Sequence, residues 1–535
     1  MRTQRALVVL VLALLAARAQ AEPSVEERFD QLQRALEAQR AESERQQRQL
    51  EAQAAELAEL RKQVAEGGTA EVAELKQEMQ EAKLAAQEAP RVSLVAGRPT
   101  ITSADGRSSI SLRSVVQLDA AHYDQDPEGS LATDFRRGSV GATGNREVTS
   151  ARDLSDGAYF RRARLGVEGV FAEDFNFRFM AEFGGSGTEG PSRINDAWIN
   201  YTGFAPFTIQ LGAFTPSANL DDATSQEELL FPERSTPAEL SRTLGGADGR
   251  IGLSLRSNGQ RWMNSLALTT RTVGDAEGAD SQLALVSRAA FLALTAEDYN
   301  VHVGAGGTWQ LHPPDTGSGT TPRHPVRFRD RPELRVDSTR LIDTGPIDAD
   351  SSYTTGLELA GNWRNLYLQG EYFWYGIERR DPPGTNLDDP RFDAFYVQGG
   401  WFLTGERRRY NMATGSFQMP RPYVPVAWPW GYGAWELALR YSHTDLDFHA
   451  GDAGELAGPD AVRGGIQDVY SVGLNWYLNA NFRMSLNYYH VDVDRLNPAS
   501  ASNPAPFGAP PNTPPVGVEI GQDYDVIGLR SQFNF

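Results

Sequence analysis

The sequence predicts an all-β transmembrane barrel of antiparallel strands, preceded by an α-helical coiled-coil segment. Three observations carry this reading. An export signal opens the chain. A heptad-patterned stretch follows as far as Pro90. Strand-like alternation then runs to an aromatic C terminus.

The signal comes first. Arg2 and Arg5 precede the apolar run "ALVVLVLALLAA", and Ala19-Gln20-Ala21 supplies small residues for cleavage. This is the charged, apolar, small-residue order of a secretory signal peptide, so residues 1–21 are read as removed. The apolar run is too short to cross the ~30 Å of hydrocarbon as a helix.

Residues 22–90 read as a periplasmic coiled-coil segment. Apolar residues at Val25, Phe29, Leu32 and Leu36, then Leu50, Leu57, Leu60 and Val64, follow a 4-3-4 spacing. Gln39, Ser43, Gln46 and Gln53 interrupt the seam. So narrow a stripe buries little alone, which favours association with further copies of the chain. A solvated spacer helix is the alternative. Residues 91–109 read as a linker, and 110–535 as the barrel domain.

Past Pro90 the composition changes. The three lysines (Lys62, Lys76, Lys83) all lie before it, and the period becomes two. In "YSVGLNWYL", Tyr470, Val472, Leu474 and Trp476 share one face, with Ser471, Gly473 and Asn475 on the other. After "NAN", Phe482, Met484, Leu486 and Tyr488 alternate with Arg483, Ser485 and Asn487. The same grammar recurs at 175–183, 395–403 and 435–441. Such strands are about the ~9–11 residues that cross a membrane when tilted. Short turns such as "AED" at 172–174 trade off with long loops, as outer-membrane barrels require.

A soluble β-sandwich also alternates, but its greasy face is a core of Val, Leu and Ile. Here the greasy face is aromatic-rich. The other face carries Arg162, Arg164, Glu168, Arg178 and Glu182, which suits a water-filled lumen. On this reading Ser471 and Asn487 face water. The chain closes on "VIGLRSQFNF", with Ile527, Leu529, Phe533 and Phe535 on one face.

Formal charge is −19, from 51 Lys+Arg against 70 Asp+Glu. That sets nucleic acid aside as a partner. The absence of cysteine excludes disulfides, thiolate metal sites and a Cys nucleophile. No HExxH, GxSxG or complete Ca²⁺-loop pattern occurs, so neither a reaction nor a cofactor is expected.

A series of stretches resembles the phosphate-selective porin family (O and P type): "YFRRARLGVEGVFAEDFNFRF", "INDAWINYTGFAPFTIQLGAFTP", "ATSQEELLFPERS", "RFRDRPELRVDSTRLIDTG", "LELAGNWRNLYLQGEY", "YVQGGWFLTGERRRYN", "GAWELALRYSHTDL" and "GLNWYLNANFRMSLNYYHVDVD". They run in order over roughly residues 105–535. The resemblance implies a homotrimer of barrels of about 16 strands, each with its own channel, and makes residues 22–90 a periplasmic stalk. It also implies that the third loop, after "GAFTP", folds into the lumen and narrows it.

Phosphate-selecting relatives carry lysines in that loop, in a stretch like "LEKATSSKW". Here it reads "LDDATSQEE", with Asp222 and Glu227 at the lysine positions. The constriction residues are therefore Asp221, Asp222, Ser225, Gln226, Glu227, Glu228 and Arg234. Either these acids present an inverted field, or arginines such as Arg234 or Arg242 neutralise them. The functional expectation is an outer-membrane porin for small inorganic ions, bedded in lipid bilayer and lipopolysaccharide, with phosphate preference in doubt. The rival is a structural barrel whose coiled coil tethers the outer membrane to the cell wall.

Overall fold

The computed structural model describes residues 89–125, 154–185, 193–274, 279–498, 517 and 519–535, except 96, 248 and 428, together with the isolated positions 55, 77, 79 and 80. The signal peptide and nearly all of the heptad segment lie outside the described residues. The compact unit considered below runs from Pro90 to Phe535.

Sixteen antiparallel strands form the barrel wall. They are β1 (Ser109–Gln125), β2 (Gly157–Phe171), β3 (Phe175–Glu182), β4 (Arg193–Phe204), β5 (Phe207–Phe214), β6 (Arg250–Asn258), β7 (Trp262–Thr272) and β8 (Leu283–Thr295). Then follow β9 (Tyr299–His312), β10 (Ile347–Trp363), β11 (Leu366–Arg379), β12 (Arg391–Phe402), β13 (Ala434–Phe448), β14 (Val462–Tyr477), β15 (Phe482–Asp494) and β16 (Gln522–Asn534). Each pairs with its neighbours in sequence, and β16 pairs back onto β1, with Leu529 opposite Ala120. Closure leaves no free sheet edge, which a sheet in hydrocarbon requires because nothing there hydrates an unpaired backbone group.

Polarity is inverted relative to a soluble protein. The exposed face is apolar: Phe179, Leu359, Leu368, Leu439, Leu486 and Ile527 are each more than two-fifths exposed. The inward face buries charge, with Arg162, Arg288 and Glu436 almost wholly enclosed. One rung of the outer face runs Leu437, Leu474, Leu486, Leu529 across β13 to β16. Toward the long-loop end that face turns acidic. Asp393 lies opposite Asp445, Asp468 opposite Asp492, and Asp492 opposite Asp523. Unscreened carboxylates belong in water, so this row marks the edge of the apolar belt.

The residues read as a linker carry structure of their own. Arg91–Val95 and Arg98–Thr102 pair as a hairpin, and the second strand adds to β1. Its turn uses Gly97 at φ 81°, a left-handed conformation that glycine adopts without strain.

The connections alternate between short and long, with one exception. Residues 403–433, between β12 and β13, lie on the short-turn side yet form a long insertion with its own hairpin, Arg409–Asn411 with Ser416–Gln418. Ser416 Oγ donates to Ala223 O (3.2 Å) in the β5–β6 loop. Two connections from opposite ends of the barrel thus meet inside it. A third, residues 313–346, packs Phe328, Leu334 and Ile342 into an internal apolar cluster with Phe231, Tyr375 and Tyr489.

Candidate functional site

The site is built by the β5–β6 loop, residues 215–249. Locally its sequence dictates two short helical turns. Asn219 caps Leu220–Ala223, its Oδ1 accepting from Asp222 N (2.7 Å), with Asp221 and Asp222 in the first turn. Ser235 caps Thr236–Ser241, which has Pro237 in its first turn. Gly306 of β9 lets the loop touch the wall, because a side chain there would collide with Ala218 O.

Both walls grip the loop. On one side Glu371 of β11 accepts from Leu220 N (2.8 Å) and Asp221 N (3.0 Å). On the other, arginines take its carbonyls. Arg408, from the 403–433 insertion, donates to Glu228 O (2.9 Å), and from the wall Arg483 donates to Leu229 O (2.6 Å) and Leu230 O (3.0 Å), and Arg440 to Glu233 O (3.1 Å). Arg530 donates to Pro232 O. Loop carbonyls enclosed this way need donors, and charged donors bind them more strongly than neutral ones. Much of the lumenal arginine is therefore occupied in holding the loop.

Asp222 and Glu227 are met by arginines. Asp222 lies 2.7 Å from Arg242 Nε and 3.7 Å from Arg234 Nε, and its side chain is fully enclosed. Glu227 lies 3.4 Å from Arg113 and takes the Ser225 hydroxyl. Burial alone would raise the Glu227 carboxyl, but Arg113 and Ser225 outweigh it and hold it down at about 2. Asp221 turns into its own loop, where its carboxylate accepts from Ser235 N (3.2 Å); burial raises its pKa. Glu228 is pushed up to about 7 by burial and by Glu227 beside it.

Ser225, alone among the seven predicted constriction residues, is exposed. With Asp222, Gln226, Glu227 and Arg234 it lines a cavity of about 250 Å³. Arg234 is turned to structure as well, donating to the carbonyls of Asp221 (3.1 Å) and Thr224 (2.9 Å).

The five predicted wall charges all project inward, and each is paired. Arg164 meets Glu182 at 2.6 Å and Arg178 meets Glu168 at 2.7 Å. Arg162 reaches Glu233 at 3.4 Å. Ser471 and Asn487 do not face open water. Each is 2% exposed, because Phe231 and its neighbours fill that part of the lumen.

A family model described as "Phosphate-selective porin O and P" matches residues 138–506, more than half of the chain. The chain belongs to that family. It is a bacterial outer-membrane porin, a channel-forming protein and not an enzyme. The porin is 26% identical over 415 residues to an uncharacterized protein of Caulobacter vibrioides, covering 75% of this chain and 72% of that one. It is 24% identical over 362 residues to Porin O of Pseudomonas aeruginosa, covering 65% and 80%. Among solved structures, an anion-selective porin from Comamonas acidovorans aligns at 11% identity and a TM-score of 0.44, over 80% of this chain and 100% of that one. OmpT of Vibrio cholerae, in its trimer form, aligns at 11% and 0.42, over 80% and 99%.

Residues outside the sequence reading organise the porin's lumen. Glu233 is the hub. Arg530 (2.6 Å), Arg161 (2.9 Å), Arg162 (3.4 Å) and Arg335 (3.6 Å) converge on it. Burial opposes its ionisation, and these four cations hold its carboxyl well below the usual range. Arg530 also takes Asp119 at 2.6 Å. The sequence carried a faint signal for this hub: "PERS" places an acid between two structural turns, and "RRAR" and "RFRDRPELR" concentrate arginine.

Proposed function

We propose that this porin gives passive entry to small hydrophilic ions through a constriction that is charge-balanced rather than cationic, without strong phosphate preference. The observation that carries this is the Asp222–Arg242 contact at 2.7 Å, with the Asp222 side chain enclosed, at a position where the family resemblance puts a lysine. Asp222 and Glu227 each remove one arginine's field from the lumen and show little of their own. A charge lining sets ion preference only where its charges are uncompensated. The chain is further proposed to be a homotrimer, with residues 22–90 as a periplasmic stalk. The heptads from Val25 support that reading.

The test is a single-channel reversal potential across a potassium chloride gradient. The expected result is a potential near zero and chloride current insensitive to micromolar phosphate. Replacing Asp222 and Glu227 together by Lys is expected to move the potential toward anions and let phosphate compete with chloride. Micromolar phosphate block of the unmodified channel would overturn the reading.

A further inference from the structure

Five arginines line the cavity beside the constriction loop: Arg113, Arg164, Arg178, Arg234 and Arg256. Four have carboxylate partners within 4.0 Å: Glu227 and Glu168 for Arg113, Glu182 for Arg164, Glu168 for Arg178 and Asp222 for Arg234. Arg256 has none. Among the described residues its side chain makes neither an ion pair nor a hydrogen bond, and its Nε is enclosed without an acceptor. The charge that acts on it is Arg178, another cation.

We propose that Arg256 is the specificity-determining charge of this channel, a lone guanidinium beside the constriction loop at which small oxyanions dwell on passage. The inference rests on the charge-balanced constriction proposed above, and names the residue that sets what selectivity remains.

Three observations place it. Arg256 lies on the inward face of β6, two residues after Ser254 and opposite Ser265 of β7. It borders both the 250 Å³ cavity and a smaller one of about 50 Å³, whose lining mixes Ser217, Ser254, Ser265 and Thr414 with apolar residues such as Phe214 and Met263. Thr414 comes from the insertion at 403–433, whose tip Arg288 fixes through Thr414 O (2.7 Å) and Gly415 O (2.8 Å). The cation therefore sits between the infolded loop and the insertion from the short-turn side, where the two meet. A guanidinium stays charged at any physiological pH. Arg256 is only partly buried, but its Nε is enclosed without an acceptor, which is costly, and an anion that supplies one relieves that cost. The planar fork suits oxyanions, and neighbouring hydroxyls add donors.

The experiment uses the full-length porin in planar bilayers, with potassium chloride gradients and inorganic phosphate as the probes. Arg256→Gln is expected to lower the chloride-to-potassium permeability ratio about sixfold, because one unit charge at about 8 Å in water changes the passage of each ion about two- to threefold, in opposite senses for anion and cation. Arg256→Lys keeps the charge but not the fork. It is expected to hold that ratio while millimolar phosphate, well above the micromolar range to which the parent is insensitive, depresses chloride current less than in the parent. Arg261→Gln, in the β6–β7 turn, is expected to change neither. A conducting Arg256→Gln channel with the parent ratio overturns the proposal. If Arg256→Gln fails to insert, Arg256→Lys decides it, and an undiminished phosphate effect there overturns it. A parent protein that conducts no ions overturns the porin reading instead, so the two failures are distinguishable.

Discussion

Glu228 shows how one side chain ties the constriction to pH. Burial raises its carboxyl to about 7, and the ionised Glu227 beside it adds to that, against the pull of Arg408, Arg409 and Arg113. Glu227, held at about 2, stays ionised throughout. Above pH 7 both acids are negative; below it Glu228 takes a proton and one negative charge leaves the lumen. Anion permeability is therefore expected to rise as pH falls from 8 to 6, read as a shift in reversal potential. Glu228→Gln is expected to abolish the dependence and fix the channel in its low-pH state. A dependence that survives in Glu228→Gln assigns the titration elsewhere. The same scale explains what the sequence concealed. That Asp222 and Glu227 stand at the lysine positions is an expectation from the family resemblance. Their neutralisation was open, because a partner's identity is not written in local spacing. Asp119 and Arg530 pair across 411 residues, and Glu227 and Arg113 across 114. Such pairs exist only once the barrel has closed.

At the level of elements, the strands were legible because lipid outside and polar groups inside impose a strict period of two. Leu474, Leu486 and Leu529 share one rung on the outer face, as the alternation requires. Of the inserted connections, the β5–β6 loop was expected from the family resemblance, but those at 313–346 and 403–433 were not legible, because packing inside a barrel imposes no period on a loop. The stretch from 403 to 433 reads as polar and irregular whether it hangs in water or fills the lumen. The inward face accordingly divides into packed and open parts. Leu486→Arg is expected to destabilise the inserted barrel by about 2–4 kcal/mol, the cost of arginine near the midplane. Asn176→Arg, inward near the short-turn end and only partly buried, is expected to be tolerated. Asn487→Arg is expected to fail for a different reason, since Phe231 and the loop fill the space beside it. Heat-modifiable migration in detergent gels separates the cases. Equal tolerance at 486 and 176 would contradict a lipid-facing outer surface.

The whole molecule depends on closure, and closure depends on the C terminus. Phe535 O accepts from Ser114 N (3.0 Å) and Phe535 N donates to Ser114 O (3.1 Å), which locks the last strand to the first. Those bonds, and every strand pairing of the barrel, lie within Pro90–Phe535. The described strand pairings of the barrel draw on no residue before Arg91. The heptads of residues 22–90 are proposed to serve association, since a narrow apolar seam is stabilised by copies of itself. Two outcomes follow for the deletion of residues 22–90. Single-channel conductance is expected to persist unchanged, because the described lumen lining lies within the remaining chain. Full-length protein in mild detergent is expected to run as a trimer that dissociates on heating, and the deletion is expected to lower the dissociation temperature. A full-length protein that is monodisperse as a monomer would remove the trimer and leave the seam without its proposed partner. Lost envelope integrity with conductance intact would instead favour a tether to the cell wall, since only a link through those residues is then missing.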